Sequence, residues 1–210
     1  MQNNLENIRE YNPIDVAAFR KTTEKYGGLS NMAAGFSLNI NGIIIPTAEH
    51  LYQACKYPLF PGIQEEILCE NSPMTAKMIS RKYQKFVRQD WDDIRIKIMR
   101  WVLKVKLTQN YAKFSDTLRE TENKPIVELS HKDKIWGAVE HSGKFVGVNA
   151  LGRLLMELRA EIINRHYQRC IEPPAITGFL LFGHEIGLVC DDPFLEEYSL
   201  SFEKEIYEFC

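Results

Sequence analysis

One carboxylate, one amine and one aromatic or amide group recur at helical spacing in Pro46-Thr47-Ala48-Glu49-His50-Leu51-Tyr52-Gln53-Ala54-Cys55-Lys56. Side chains three or four residues apart lie over one another on a helix. A helix here therefore carries Glu49, Tyr52 or Gln53, and Lys56 on one face, with Leu51, Ala54 and Cys55 turned inward. Thr47 is a suitable N-cap, its hydroxyl accepting from an early backbone N–H. Glu49 then sits in the first turn, where a carboxylate complements the positive end of the helix dipole. Such a carboxylate can move protons. An amine beside it can pair with a phosphate or a carboxylate, or, when neutral, add to an electrophilic carbon. The same residues also suit a plain surface glutamate with a distant lysine.

The elements around this helix are legible. Phe36-Ser37-Leu38-Asn39-Ile40 alternates apolar and polar, Asn41-Gly42 follows, and then Ile43-Ile44-Ile45. That order predicts a hairpin with a type I′ turn ending at Pro46, which fixes the helix start. Ser72-Pro73 predicts a cap and first position of a helix through about Tyr83. Asp90 is the expected cap of a longer helix whose apolar stripe is Ile94, Ile98, Trp101, Val102 and Val105. Lys97, Arg100, Lys104 and Lys106 are expected on its remaining surface. Tyr111 to Arg119 reads as another amphipathic helix and Pro125 to Ser130 as a short strand. Asn149 is the expected cap of a long helix buried through Leu151, Leu154, Leu155, Leu158, Ile162 and Ile163. Strands are expected over Ile176–Phe182 and Glu185–Cys190. Gly27-Gly28, followed by Leu29-Ser30-Asn31, permits a tight loop able to lie close to a ligand, or a plain turn.

With 210 residues, 45% hydrophobic and 26% charged, the chain is expected to fold as one domain with an appendage. The net charge of −2 excludes a generic polyanion binder, but its distribution is uneven. Lys77 to Lys106 holds ten Lys or Arg against three Asp, and Ile171 to Cys210 holds nine acids against Lys204. The first stretch would attract phosphates and the second repel them. Five scattered cysteines with no C-x-x-C pair point to a reducing compartment, and away from a zinc cage or a disulfide framework. The polar start reads as no signal peptide, and no apolar run approaches the roughly 20 residues of a membrane span. The expectation is a cytoplasmic protein with no membrane partner, no metal and no cofactor.

The ordered motifs resemble one family. They are Gly28-Leu29-Ser30-Asn31-Met32, the hairpin, Pro46 to Lys56, Asp90-Trp91 and Lys106 to Asn110. Ile126-Val127-Glu128, Asp133-x-x-Trp136-Gly137 and Gly147 to Met156 follow. Together they resemble the NADAR family (NAD- and ADP-ribose-associated, or YbiA-like) over roughly residues 19 to 160. The resemblance implies a mainly helical, α+β, YbiA-like domain with a small N-terminal β-hairpin and a few short strands. The expected layout is a lead-in over 1–18, the domain over 19–170, and an acidic extension over 171–210 packed on it.

The activity implied is N-glycoside hydrolysis. The leading reading is release of ADP-ribose from ADP-ribosylated guanine in nucleic acid, as the reversing partner of an ADP-ribosyltransferase toxin. The alternatives are phosphoribosylamino-pyrimidine intermediates of riboflavin synthesis, or a non-catalytic module that binds ADP-ribose or NAD. Cleavage builds positive charge on the anomeric carbon and negative charge on the departing base. Glu49 is then the first choice of general acid/base. Asp133 is the second carboxylate, a contact to ribose hydroxyls or a turn-forming residue. Lys56 as a Schiff-base nucleophile needs a depressed pKa, which burial favours and an ionised Glu49 opposes. Trp136 suits base stacking, while Trp91 serves the base or staples the helix start. Gly147 and Asn149 would bring a helix N-terminus to a phosphate, with Arg153 as a bidentate clamp. Gly28, Ser30, Asn31 and Tyr52 complete the implied substrate-binding set. Glu128 supports that set or is a strand-edge charge. Met32, Ile45 and His131 depart from the family pattern, which bears on substrate choice.

Overall fold

The β-branched run Ile43–Ile45 faces Leu38–Ile40 across Asn41 and Gly42, both at positive φ (55° and 84°), as a type I′ turn requires. This hairpin feeds the helix that carries Glu49. In a computed structural model, residues 7–191 are described. In chain order the elements are β1 (Arg9–Tyr11), β2 (Ala17–Phe19), β3 (Leu38–Ile40), β4 (Ile43–Ile45), α1 (Ala48–Ala54) and α2 (Pro61–Leu68). Next come α3 (Pro73–Lys82), α4 (Trp91–Gln109), α5 (Tyr111–Arg119), β5 (Ile126–Glu128), β6 (Val139–His141) and β7 (Lys144–Gly147). Then follow α6 (Ala150–Ile163), β8 (Cys170–Ile171), β9 (Leu180–Leu181), β10 (His184–Glu185) and β11 (Val189–Cys190). The fold is α+β, with six helices and small sheets among the described residues.

The chain divides into two interleaved units. The first takes the residues up to Ser30 together with 112–167; the second takes 31–111 with residues 168 onward. In the first, β1, β7 and β6 form an antiparallel sheet with Glu10 opposite Val146 and Val139 opposite Val146. The stretch expected as a lead-in therefore supplies a strand. β2 pairs in parallel with β5, Ala18 opposite Val127, and α6 packs on β5. Gly152 is required there, because a Cβ would fall 2.2 Å from the Ile126 carbonyl oxygen. Phe19, Phe114, Leu118, Ile126, Leu151 and Leu155 are buried. The buried Arg159 guanidinium is satisfied by Thr121 Oγ1 (2.6 Å) and the Lys124 carbonyl (2.9 Å).

In the second unit, α1 packs against α2, α3 and α4. The expected stripe of α4 is buried, with Ile98, Val102 and Val105 fully so. Two details of this helix differ from expectation. Asp90 makes no side-chain cap, because Arg88 Nε holds its carboxylate at 2.6 Å. Lys106 is buried rather than on the surface, with its ammonium 4.3 Å over the Phe36 ring, where a cation–π contact offsets lost hydration. The expected strands after residue 175 are shorter, as β9, β10 and β11. Cys170 and Cys190 form a disulfide between β8 and β11, against the expectation of unpaired cysteines. Their spacing of 20 residues gave no motif; strand pairing brings them together. The acidic extension expected over 171–210 lies outside the described residues beyond Asp191. Among those described, no helix is long and apolar enough to cross a membrane.

Candidate active site

Thr47 caps α1 in extended backbone, its Oγ1 accepting from the His50 N–H. The His50 ring is fully buried between Thr47 Oγ1 and the Glu70 carbonyl, each at 2.8 Å. A carbonyl only accepts, so Nε2 carries the proton and Nδ1 receives the Thr47 hydroxyl. Burial pushes the pKa of His50 down, which keeps the ring neutral. The helix start is thus rigid. The Glu49 N–H donates to the Asn31 carbonyl (3.0 Å), tying the Asn31 loop to the first turn.

All seven residues of α1 are buried. The sequence pattern predicts a polar face in solvent. Instead three helices close round it, and Glu49 keeps only 6% of its surface. Glu49 Oε1 accepts from Gln53 Nε2 at 2.8 Å and stands 3.7 Å from Lys77 Nζ of α3. The other end of the Gln53 amide accepts from Lys56 Nζ at 2.6 Å. Gln53 therefore joins the carboxylate to the amine by opposite poles of one amide. Lys56 Nζ also reaches Ser80 Oγ at 3.4 Å, and the buried Tyr57 hydroxyl contacts that oxygen at 3.0 Å. Tyr52 and Trp91 form the aromatic wall, their centroids 5.1 Å apart, with the Lys56 ammonium 5.8 and 5.5 Å from them.

This surrounding sets the charge of Lys56. Burial lowers its pKa from the ordinary 10.5 to about 8, against the attraction of Glu49. Lys77 and Arg81 push it the same way as burial, by like-charge repulsion. The opposition between burial and Glu49 is resolved in favour of burial. Near neutral pH a fraction of the amines carries a free lone pair, and Glu49 stands one amide away to move protons. Asn31 adds a polar group: its Oδ1 is buried and makes no hydrogen bond, while Nδ2 lies 3.0 Å from Met99 Sδ. An orphaned buried acceptor calls for a donor such as a sugar hydroxyl.

The remaining expected residues lie in the first unit. Gly28 sits in the 3₁₀ turn Gly27–Leu29, and the buried Ser30 closes it, its N–H donating to the Gly27 carbonyl. Gly27 is constrained, since a Cβ would meet the Thr22 carbonyl oxygen at 2.1 Å. Asp133 Oδ1 accepts from the Ile135 and Trp136 N–H groups (2.8 and 2.9 Å), closing an Asx turn that presents a half-buried Trp136. Glu128 lies at the end of β5, its N–H bonded to Asn149 Oδ1 (3.1 Å). Asn149 Nδ2 donates to the Ile126 carbonyl (2.8 Å). Asn149 is at φ 52° and makes no side-chain cap; it pins β5 to the start of α6 instead.

The expected phosphate cradle at that helix start is occupied by protein. The N–H groups of Val148, Asn149, Ala150 and Leu151 donate to the carbonyls of Lys134, Gly137, Ile135 and Trp136. Gly147 serves this zipper, as a Cβ there would lie 2.3 Å from the Gly137 carbonyl oxygen. Arg153 is buried, and its pKa is lowered by burial first and by Arg9 second. Lys77 and Ser80 are the site residues that sequence reasoning did not select, and Gln53 was offered there only as the alternative to Tyr52. Gln53 carried a signal, standing four residues after Glu49 and three before Lys56; Lys77 and Ser80 did not. Among the described residues, no group of three His, Cys, Asp or Glu could hold a metal ion.

The class these features define is an α+β protein with a buried carboxylate–amine pair suited to acid/base and carbonyl-type chemistry. The chain matches the NADAR domain over residues 18–163 and belongs to that family. It is 38% identical over 144 residues to the N-glycosidase YbiA of Escherichia coli, a match covering 69% of this chain and 86% of that protein. A riboflavin biosynthesis protein of Vibrio vulnificus is 36% identical over 144 residues, and the match spans 38% of its length. The solved NMR structure of E. coli YbiA superposes with a TM-score of 0.62 at 32% identity, covering 77% of this chain and 92% of that one.

Proposed function

We propose that the protein is an N-glycosidase using Glu49 as general acid/base and Lys56 as nucleophile. The observation that carries the reading is the buried Lys56 amine, at about pKa 8 and linked to Glu49 through Gln53. Consider a sugar held to its base through an exocyclic amine. The nitrogen lone pair opens the ring, and protonated Glu49 supplies the proton to the departing ring oxygen. The Lys56 amine adds to the anomeric carbon. The base amine leaves with a proton, and a protonated imine joins the carbon to Nζ. Water adds to that carbon and gives its proton to Glu49; the C–Nζ bond breaks, returning the amine. The sugar leaves as the aldehyde and recloses. The net change is one water consumed, with free base amine and free sugar formed.

The substrate assigned is ADP-ribosylated guanine in nucleic acid, the reaction undoing an ADP-ribosyltransferase's modification. Lys77 and Arg81 beside Lys56 favour a substrate rich in phosphate. The second reading, phosphoribosylamino-pyrimidines, is favoured by the relative named a riboflavin biosynthesis protein. The deciding experiment is mass spectrometry of an oligonucleotide carrying ADP-ribosyl-guanine and, separately, of the ribosylamino-pyrimidine. Wild type, Glu49→Gln and Lys56→Met are incubated with each, with and without borohydride. Restored guanine and a reduced adduct on Lys56, both absent in the variants, support the reading. Turnover of the pyrimidine alone moves the substrate assignment. Tight ADP-ribose binding with no turnover of either makes the protein a binding module and ends the enzyme reading.

A further inference from the structure

Two protein oxygens accept from the Lys56 amine, Gln53 Oε1 at 2.6 Å and Ser80 Oγ at 3.4 Å. When the amine is neutral, its lone pair stays reactive only if neither of these groups turns a hydrogen onto it. An amide oxygen has no hydrogen to give, and the Gln53 N–H side is committed to Glu49 Oε1. A serine hydroxyl can donate or accept. The contacts behind Ser80 remove that choice.

Tyr57, fully buried just past α1, donates its hydroxyl hydrogen to the Ser80 carbonyl at 2.5 Å. A phenol has one hydrogen, so towards Ser80 Oγ, 3.0 Å away, the Tyr57 oxygen can only accept. The Ser80 hydrogen is thereby turned to Tyr57, and Ser80 Oγ faces Lys56 with lone pairs alone. Burial raises the Tyr57 pKa above the ordinary 10, so the phenol keeps its proton through the range in which Lys56 titrates. Ser80 keeps only 1% of its surface, which shuts out the water that could compete for its hydrogen.

The ammonium form of Lys56 gives two of its three N–H groups to Gln53 and Ser80. The neutral amine has two N–H groups, and the same acceptors hold both. Its lone pair then takes the remaining tetrahedral direction, away from both oxygens, and Ser80 has no hydrogen left to give it. We propose that Tyr57 and Ser80 are positioning residues for Lys56: by holding the serine as an acceptor, they aim the amine's lone pair at the reacting carbon. The inference rests on the reading of Lys56 as nucleophile. Gln53 is the other anchor of the amine. The charged groups that act on Lys56 are Glu49 of α1 and Lys77 and Arg81 of α3, and all three stay in place in the variants below.

The test is competitive labelling of the full chain with a trace of acetic anhydride from about pH 6 to about pH 11, read lysine by lysine by peptide mass spectrometry. The exposed Lys132 is the reference amine. For Lys56 the midpoint of the rise gives the pKa, and the plateau gives the reactivity of the neutral amine. Tyr57→Phe frees the serine hydrogen to turn onto the lone pair, and the plateau falls about fivefold, the worth of one neutral hydrogen bond. Adding Ser80→Ala to that variant removes the quenching hydrogen, and the plateau recovers to the level of Ser80→Ala alone. A packing defect would deepen in the double variant instead. Ser80→Ala alone takes an acceptor from the ammonium, and the midpoint falls by about half a pH unit. It keeps the Tyr57 bond to the carbonyl of residue 80, so it decides the matter if Tyr57→Phe does not fold. Three results overturn the proposal: an unchanged plateau in Tyr57→Phe, no recovery in the double variant, or an unchanged midpoint in Ser80→Ala. No arm reads turnover, so failure here is separate from failure of the N-glycosidase reading.

Discussion

Replacing Lys56 by methionine isolates the amine on which the proposed chemistry turns. The Lys56 pKa is about 8 in the folded protein, against an ordinary 10.5. At about 1.4 kcal/mol per pH unit, the charged form is disfavoured in the fold by about 3 kcal/mol. The folded value lies below the unfolded one, so between about pH 8 and pH 10.5 the unfolded chain binds more protons, and stability rises with pH. This contribution is fully present above the unfolded value and is lost as pH falls through about 8. Methionine carries no proton and lacks the slope. Its stability relative to wild type should therefore be greater at about pH 7.5 than at about pH 10, by about 2 kcal/mol. Loss of the donor to Gln53 Oε1 shifts the variant at both pH values and cancels in the comparison. Urea unfolding of both proteins at several pH values gives the number. A difference that does not change with pH would falsify the claim that burial holds this amine down. In wild type the same titration should appear as a rise in kcat through about pH 8, with about one amine in ten neutral at pH 7.

Glu49→Gln should lower kcat by about a hundredfold or more, the usual worth of a positioned acid/base. Substrate affinity by calorimetry should hold; an unchanged kcat would move the proton transfer elsewhere. Asn149→Ala removes the bonds to the Glu128 N–H and the Ile126 carbonyl, and should cost about 2–4 kcal/mol in urea unfolding. A loss below about 0.5 kcal/mol would mean that β5 is held to α6 by packing instead. Reducing the Cys170–Cys190 disulfide, which closes 20 residues, should cost about 3 kcal/mol in thermal or urea unfolding, and no change would count against the bond.

Local signals carried the elements that fix the site. Asn41-Gly42 between β-branched residues, Thr47 before the helix and Ser72-Pro73 before α3 each act through a neighbouring backbone group, so sequence order suffices to read them. Burial is a property of the fold and does not follow from such order. The α1 pattern reads as half-exposed, and only packing against α2, α3 and α4 makes Glu49, Tyr52 and Gln53 interior. Lys106 was misplaced for the same reason. Asn149 and Gly147 show a different limit. Their residue types suit a phosphate-binding helix start, and the structure uses them to join α6 to the 134–137 loop and to β5. An asparagine at φ 52° and a glycine against a carbonyl are chosen by close backbone approach, which a single sequence does not display.

Gln53 explains why a carboxylate and an amine can share a dry helix without neutralising each other. A direct Glu49–Lys56 ion pair would hold the amine protonated and unreactive. An interposed amide satisfies the carboxylate with its N–H and the amine with its oxygen, so both charges are hydrogen-bonded but neither is cancelled. Burial can then lower the amine while Lys77 remains beside Glu49 as counter-charge. Lys77 also repels Lys56, so the α3 cation serves both partners. The arrangement is costly to stability, because an ammonium half the chains would discard near pH 8 is kept inside the fold. The lone pair so freed is the one that the proposed Lys56 chemistry would use.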